Sequence, residues 1–183
     1  MSDTSITPTL LLSMPQLDDP NFGRTVVLLC EFAPEGAFGL VINRPTDFPA
    51  ASVVQLDPPV LAANDLPLWI GGPVEPERGW ILLTEAREEE DARELAPGLF
   101  LSASPHVLRR VLESSMPPLA RVIAGYAGWG PGQLDEELSQ SSWLLADVDA
   151  GFLFSTPPGQ LWEAAIRRLG ADPSQLQQGH GVH

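Results

Sequence analysis

Apolar residues along the chain form short runs that have the length of β-strands and are separated by turn residues. Two such runs, at 25–32 and 37–43, flank a turn composition of alanine, proline, glutamate and glycine at 33–36. This arrangement predicts a β-hairpin. Six further apolar runs predict strands at 68–70, 78–84, 99–102, 120–126, 143–147 and 152–154.

Helical spacing and capping residues predict the helices. Ser104 and Pro105 supply an N-cap and a first-turn proline, and the apolar residues that follow recur at helical spacing. Two more helices are predicted, at 133–140 and from 156–157 to Gly170, where a glycine ends the pattern.

The pattern contains no internal repeat and no linker, so we expect one domain over 1–183, with an ordered core at about 8–172 and a C-terminal tail at 173–183. Residues 47–67 predict a long connection with one short helix, and the six carboxylates of 85–94 predict a solvated surface loop. Without a basic signal-like start or a run of roughly 18 apolar residues, the chain is expected to be cytoplasmic and not to enter a membrane.

The excess of acidic over basic residues limits the kinds of molecule that the protein is expected to bind. The chain has 24 acidic and 10 basic residues, a formal net charge of −14, and every basic residue is an arginine. The absence of lysine excludes a P-loop lysine and a Schiff-base lysine. Because proteins bind nucleic acid largely by neutralising its phosphates, direct DNA binding is disfavoured.

The usual catalytic and metal-binding patterns are missing from the sequence. The one cysteine, Cys30, lies in an apolar run, which predicts a buried and inert thiol. His180 and His183 cannot complete a metal site by themselves, and no Gly-x-Ser-x-Gly elbow occurs. We therefore assign no catalytic residue, no metal site and no cofactor.

The most unusual stretch is the glycine-rich segment at 125–133, which follows a predicted strand and precedes a predicted helix. That context suits a phosphate cradle. However, Gln133 stands where a dinucleotide fingerprint needs a third glycine, and Pro131 stands where a Walker loop needs lysine. A tight structural turn with Trp129 packed over it is the favoured interpretation.

Several charged residues lie at predicted strand ends or in loops, beside glycine or proline: Arg24, Glu31, Arg44 and Arg78. They could form ion pairs that pin loops together. Alternatively, the arginines could line a shared anion-binding groove, because the guanidinium fork matches carboxylate and phosphate oxygens.

The order of four motif blocks resembles that of the AlgH/YqgE family of bacterial proteins. The blocks are Met14-Pro15-x-Leu17-x-Asp19-Pro20-x-Phe22-x-Arg24-Thr25-Val26-Val27 with Gly39-Leu40-Val41-Ile42-Asn43-Arg44-Pro45; Gly71-Gly72-Pro73-Val74 with Arg78-Gly79; Gly125-Tyr126-Ala127-Gly128-Trp129-Gly130-Pro131-Gly132-Gln133-Leu134 with Glu137 and Trp143-Leu144; and Trp162, Leu169-Gly170 and Gly179-His180.

The resemblance implies an α+β fold, in which a bent, partly barrel-like and mostly antiparallel sheet is flanked by helices. Some family members are named as transcriptional regulators, with links to alginate or virulence control, and no reaction is implied. Many relatives have histidine where Leu83 stands and asparagine where Ser142 stands, so a mechanism that needs those side chains does not carry over. The net charge and the lack of a helix-turn-helix pattern argue against direct DNA contact.

Our leading hypothesis is a non-catalytic binding or regulatory protein, whose partner is another protein or a small anionic ligand. The residues expected to converge on one exposed groove are Arg24, Asn43, Arg44, Arg78, Trp129, Gln133 and Glu137. The alternative is a carboxylate- or metal-assisted hydrolase of a small phosphorylated or acyl substrate, which would use Asp19, Asp135 or Glu137.

Overall fold

The computed structural model describes residues 7–14 and 24–179, and this part of the chain contains ten strands and six helices. The strands are β1 (Thr9–Ser13), β2 (Val26–Ala33), β3 (Gly36–Val41), β4 (Pro45–Pro49), β5 (Pro67–Ile70), β6 (Val74–Leu83), β7 (Arg93–Ala96), β8 (Leu99–Ser102), β9 (Ala120–Trp129) and β10 (Trp143–Ala146). The helices are α1 (Ala50–Val53), α2 (Pro105–Leu112), α3 (Gln133–Ser139), α4 (Ala150–Ser155), α5 (Pro158–Arg168) and α6 (Pro173–Gly179).

The strands form one curled sheet in the order β10-β1-β2-β3-β9-β6-β8-β7, and each neighbouring pair along this path is antiparallel. Strand β5 adds to this path by pairing parallel to β9 and antiparallel to β4. The long strand β9 pairs with β3 through its last residues and with β5 and β6 through its earlier ones. The sheet is therefore a half-barrel within an α+β domain, as expected.

Strand β1, the first five residues of β2 and the last three residues of β3 are buried. On one face Leu10 and Leu28 pack in the same cluster as Leu161 of α5. On the other face Leu11 packs in the same cluster as Leu134 of α3. Burial on both faces explains why these strands are continuous apolar runs without alternation. Each fully buried leucine contributes about 1.5–3 kcal/mol to folding.

The caps predicted for α2 are present. Ser104 Oγ accepts hydrogen bonds from the backbone N–H groups of His106 and Val107, and Pro105 occupies the first turn. These bonds satisfy donors that a helix start would otherwise leave unpaired. Cys30 is also buried as expected, and burial raises the pKa of its thiol to about 12.

The glycines of the second and third motif blocks allow two backbones to touch. A Cβ added to Gly71 would lie 2.5 Å from the carbonyl oxygen of Gly125, and one added to Gly72 would lie 2.2 Å from the carbonyl carbon of Tyr126. Gly125 itself has a φ of +79°, which favours glycine. The connection between β5 and β6 thus packs directly against the backbone of β9, and a side chain at Gly71 or Gly72 would push the two backbones apart.

Four expectations about local structure need correction. Residues 152–154 are part of α4 and not a strand, because Asp149 caps that helix by accepting from the N–H of Phe152. Strand β9 continues to Trp129, so most of the glycine-rich segment is strand and only residues 130–132 make the turn. The expected C-terminal tail contains α6.

The fourth correction concerns the acidic run, which is not uniformly solvated. The side chain of Glu90 is only 9% exposed, and its carboxylate makes a bidentate ion pair with Arg110 of α2. The hydrogen bond from Arg110 lowers the pKa of Glu90 below its ordinary value. This pair anchors the acidic loop to the helix, which sequence composition alone does not reveal.

A buried arginine joins the sheet to α4. Arg121 of β9 is 4% exposed and donates to the carbonyl oxygens of Ile42 and Leu153. Its guanidinium carbon also lies 4.2 Å from the ring centroid of Trp69. The helical partner of the Leu153 carbonyl would be Pro157, which has no N–H, so the guanidinium replaces the missing donor.

Candidate functional site

Three of the seven predicted groove residues lie together where β2 begins and β3 ends. The guanidinium of Arg24 pairs with Glu163 of α5 and lies 4.9 Å from the ring centroid of Trp162. Asn43 accepts a hydrogen bond from the N–H that opens β2 and donates to the carbonyl of Arg24. Arg44 donates to a neighbouring threonine hydroxyl at 2.7 Å. These contacts hold strand ends and α5 together.

Three other predicted residues, Trp129, Gln133 and Glu137, lie together, because the carboxylate of Glu137 on α3 binds the other two. Glu137 Oε1 accepts from the indole N–H groups of Trp129 at 3.0 Å and Trp143 at 2.8 Å, and Oε2 accepts from Gln133 at 3.1 Å. Gln133 Oε1 also accepts from the backbone N–H of Gly130. Because this N–H is already bound within the turn, it is not presented to a phosphate. The network connects β9, β10 and α3.

Arg78, the seventh residue, lies on β6 away from both sets. Its guanidinium carbon lies 4.7 Å from the ring centroid of Trp80, and the side chain is exposed. Within residues 7–14 and 24–179 it forms no ion pair and no hydrogen bond. The seven residues thus sort into three sets, of which Arg78 alone forms the third.

Arg78 lies at a cavity of about 470 Å³ on the curled sheet. We call it the arginine–aromatic cavity, and it is lined by Glu31, Phe38, Arg78, Trp80, Asp91, Arg93, Leu101, Ser102, Ala103 and Tyr126. Its volume falls in the range of about 300–1,000 Å³ that is typical of small-molecule sites.

Three rings from three adjacent strands form one wall of this cavity. The ring centroids of Phe38 and Trp80 are 4.8 Å apart, and that of Tyr126 lies 5.3 Å from the first and 6.2 Å from the second. The Tyr126 ring meets the other two edge to face, at interplanar angles of 71° and 87°. All three side chains are partly exposed.

The cavity carries both signs of charge. Arg93 pairs with Glu31 at 3.4 Å, and both of these side chains are more than half exposed. Exposed pairs of this kind contribute little energy and exchange readily for other partners. The lining thus holds two guanidinium groups, of Arg78 and Arg93, and two carboxylates, of Glu31 and Asp91, and only Arg78 and Asp91 form no ion pair with a described residue.

The backbone around Tyr126 is strained in one place. Glu75, a non-glycine residue, has a φ of 45° and accepts a hydrogen bond from the Tyr126 hydroxyl at 2.6 Å. This bond raises the pKa of Tyr126. Left-handed backbone at a non-glycine residue costs about 1–3 kcal/mol and is common where a side chain must be held in position.

One polar atom of the wall has no partner. The indole Nε1 of Trp80 is buried and has no hydrogen-bond acceptor in the part of the chain that the structure describes. An unsatisfied buried donor costs about 1–3 kcal/mol, and such groups concentrate at functional sites.

A second cavity of about 520 Å³ adjoins the first. The two share Glu31, Phe38 and Tyr126, and the second extends along β3 and β9 to Gly128 and Trp129. The structure therefore brings two of the seven predicted residues, Arg78 and Trp129, to adjoining cavities. The other five line neither: Arg24, Asn43, Arg44, Gln133 and Glu137.

The residues that sequence reasoning missed are Phe38, Trp80, Tyr126 and Arg93. The first three lie on β3, β6 and β9, which become neighbours through long-range pairing, and Arg93 lies on β7, which β8 joins to β6. No spacing in the sequence therefore connects the four. The one available signal was the presence of Tyr126 and Arg78 in two of the family-like motif blocks.

The candidate carboxylates of the hydrolase alternative are not assembled into a cluster. Asp135 is exposed, Glu137 is bound by two indoles, and Asp19 lies outside the described residues, as do His180 and His183. Among the residues that the structure describes, no group of three or more His, Cys, Asp and Glu side chains could hold a metal ion. No described helix is long and apolar enough to cross a bilayer.

The fold and cavity define a class of protein, an α+β domain whose half-barrel sheet carries a concave, ligand-sized site. Residues 10–174 match the AlgH-like family, and the chain belongs to that family. A UPF0301 protein of Myxococcus xanthus is 39% identical over 181 residues, which covers 98% of this chain and 99% of the relative. One of Methylococcus capsulatus is 40% identical and covers 93% of this chain and 94% of its own length.

Solved structures agree with this assignment. The solution structure of the AlgH protein from Pseudomonas aeruginosa matches with a TM-score of 0.77 and 36% identity over 100% of both chains. A crystal structure of a Corynebacterium diphtheriae protein matches with a TM-score of 0.70 over 97% of this chain and 93% of that one. At 22% identity, the second match shows the fold alone.

Proposed function

We propose that this protein acts by binding, with no chemistry of its own, and that the arginine–aromatic cavity takes a small anionic ligand. The observation that carries the proposal is Arg78, which is stacked on Trp80 and has no carboxylate partner among the described residues. Stacking uses the flat face of the guanidinium and leaves its N–H groups at the edge available to an oxyanion.

The pairing of the other arginines supports this choice. Six of the ten arginines form ion pairs with Asp or Glu: Arg24, Arg93, Arg109, Arg110, Arg167 and Arg168. In so acidic a chain, an exposed arginine that lines a cavity and forms no ion pair with a described carboxylate is unusual. A ligand that brings its own carboxylate or phosphate supplies the missing partner.

A segment of a partner protein is the second candidate ligand. The two cavities share Phe38 and Tyr126 and so form one continuous groove. Such a groove suits an extended peptide that places an acidic side chain at Arg78. In either case regulation would pass through the bound ligand and not through direct DNA contact, since a net charge of −14 opposes binding to the dense line of phosphates along a DNA backbone. We further propose a cytoplasmic location, which a chain with one buried thiol and no disulfide suits.

The hydrolase alternative has weaker support. Glu137, the more enclosed of the two candidate carboxylates that the structure describes, accepts three hydrogen bonds that connect α3 to the sheet. A carboxylate held in this way is poorly placed to remove a proton from water.

The test is isothermal titration calorimetry at low ionic strength with sodium phosphate, citrate and acetate, together with amide NMR shifts. We expect at least one anion to bind and to shift resonances of β6 and β9. Arg78→Gln should weaken binding about 10- to 100-fold, because a charge-assisted hydrogen bond contributes about 1.5–3 kcal/mol.

Arg167→Gln is the matched control, since Arg167 is an exposed arginine of α5 that lines neither cavity. It should bind the anions as the unmodified protein does. The proposal is wrong if none of the anions binds, or if Arg78→Gln binds as tightly as the Arg167→Gln control.

A further inference from the structure

We infer that the ligand of the arginine–aromatic cavity is an oxyanion attached to a flat aromatic ring, such as an arylcarboxylate or an aryl phosphate. The inference rests on the proposed anion-binding function and specifies the ligand class. It follows from the three rings of the cavity wall and from the position of Arg78 beside one of them.

The first step concerns what an anion alone would leave uncovered. Phe38, Trp80 and Tyr126 are each partly exposed at the cavity, although they also pack against the main core. Inorganic phosphate at Arg78 would occupy a small part of a cavity of about 470 Å³ and would leave this apolar wall in water. Burial of apolar surface contributes about 25 cal/mol per Å², so a ligand that covers the wall binds more tightly.

The second step concerns the shape of the wall. Phe38 and Trp80 are inclined to each other by 41°, and Tyr126 is close to perpendicular to both. A flat ring can therefore lie offset over one ring face and meet the neighbouring ring edge to face. Both arrangements are favourable for aromatic pairs, at about 0.5–1.5 kcal/mol each beyond the area they bury.

The third step concerns the distance between the charged and apolar contacts. The guanidinium carbon of Arg78 lies 4.7 Å from the Trp80 ring centroid. An oxyanion bound by Arg78 is thus within one ring's width of the aromatic wall, which matches an acid group attached directly to a ring.

The fourth step concerns the rigidity of the wall. The Tyr126 hydroxyl is held by Glu75, whose backbone is in the left-handed region, so the tyrosine ring has a fixed orientation. A wall that is positioned before binding reduces the entropy lost when a ligand is ordered against it.

The experiment compares ligands that share an anion and differ in the attached group. Acetate, cyclohexanecarboxylate and benzoate form one series, and phosphate and phenyl phosphate form another, which separates carboxylate from phosphate recognition. We expect benzoate to bind at least 10-fold more tightly than acetate and several-fold more tightly than cyclohexanecarboxylate. Among the three carboxylates, only benzoate should shift the Trp80 indole N–H resonance through a ring current, because only benzoate has an aromatic ring.

Phe38→Leu tests the wall from the protein side, and circular dichroism verifies that the variant is folded. It should lose most of the preference for benzoate over acetate and keep its affinity for acetate. The ligand series on the unmodified protein gives a result even if this variant does not fold.

The outcomes distinguish the two proposals. If acetate or phosphate binds through Arg78 and the ring adds nothing, the ring inference is overturned and the anion-binding function remains supported. Equal affinity for cyclohexanecarboxylate and benzoate also overturns it, since the wall would then recognise apolar bulk only. If no anion in either series binds, the proposed function itself is overturned.

Discussion

Replacing Arg121 with methionine tests whether the buried arginine holds α4 to the sheet. Methionine has a similar length and is apolar, so Arg121→Met removes the charge and the hydrogen-bond donors while filling much of the volume. The carbonyl oxygens of Ile42 and Leu153 then lose their partner in a region where the side chains are fully buried.

The magnitude follows from two opposing contributions. Each lost charge-assisted hydrogen bond is worth about 1.5–3 kcal/mol, and the cation–π contact with Trp69 adds about 0.5–2 kcal/mol. Against this, burial lowers the pKa of Arg121 from its ordinary value to about 10. At about 1.36 kcal/mol per pKa unit, that shift corresponds to roughly 3 kcal/mol that a neutral side chain does not incur. We therefore expect Arg121→Met to lower the free energy of unfolding by about 2 kcal/mol.

Urea denaturation followed by far-UV circular dichroism measures this free energy, and amide hydrogen exchange shows whether α4 opens locally. Arg168→Met is the matched control. Arg168 of α5 also contacts α4, since its guanidinium carbon lies 4.2 Å from the ring centroid of Phe152, but its side chain is about half exposed. The control should lose less than about 1 kcal/mol. If Arg121→Met were as stable as the unmodified protein, or more stable, the buried arginine would not be holding α4 to the sheet.

Three further predictions concern stability. Because the ion pair with Arg110 lowers the pKa of Glu90, its contribution is present above the ordinary carboxyl value of 4.5 and is lost as the pH falls through the native value; Glu90→Gln should flatten the pH dependence of Tm in that acidic range. Glu137→Leu leaves two indole N–H groups unpaired and should cost about 2–4 kcal/mol in a urea titration, whereas Glu137→Gln should cost less because its carbonyl can still accept. Gly71→Ala places a Cβ 2.5 Å from the backbone of β9 and should lower Tm by several degrees, while Gly79→Ala, with no atom within 4 Å of the added Cβ, should not; equal effects of the two alanines would contradict the close approach of the strands.

Sequence patterns were most reliable where burial and capping act locally. The strand at 99–102 and the helix that follows Ser104 were predicted almost to the residue, because a short apolar run and an N-cap are local signals. The segment at 152–154 was assigned wrongly because a short apolar run fits a buried helix as well as a strand. Asp149 and the distant Arg121 decide between them.

The candidate site was harder to predict than the strands and helices, because its residues come together only through long-range strand pairing. Arg78 was identified as a candidate from its place beside glycine, but its partner Trp80 was not. The wall of the cavity also needs Phe38 of β3 and Tyr126 of β9, which are 88 positions apart in the chain and meet only because those strands are neighbours.

The amino-acid sequence by itself determined the family, the mixed α+β class, the inert buried thiol and the absence of lysine chemistry. These properties depend on residue identity and on local order, which a linear chain displays directly. Only the tertiary structure decided which arginines form ion pairs and which ones line a cavity. Ion pairs, ring stacking and shared walls are set by distances between strands, and the curl of the sheet brings those strands together.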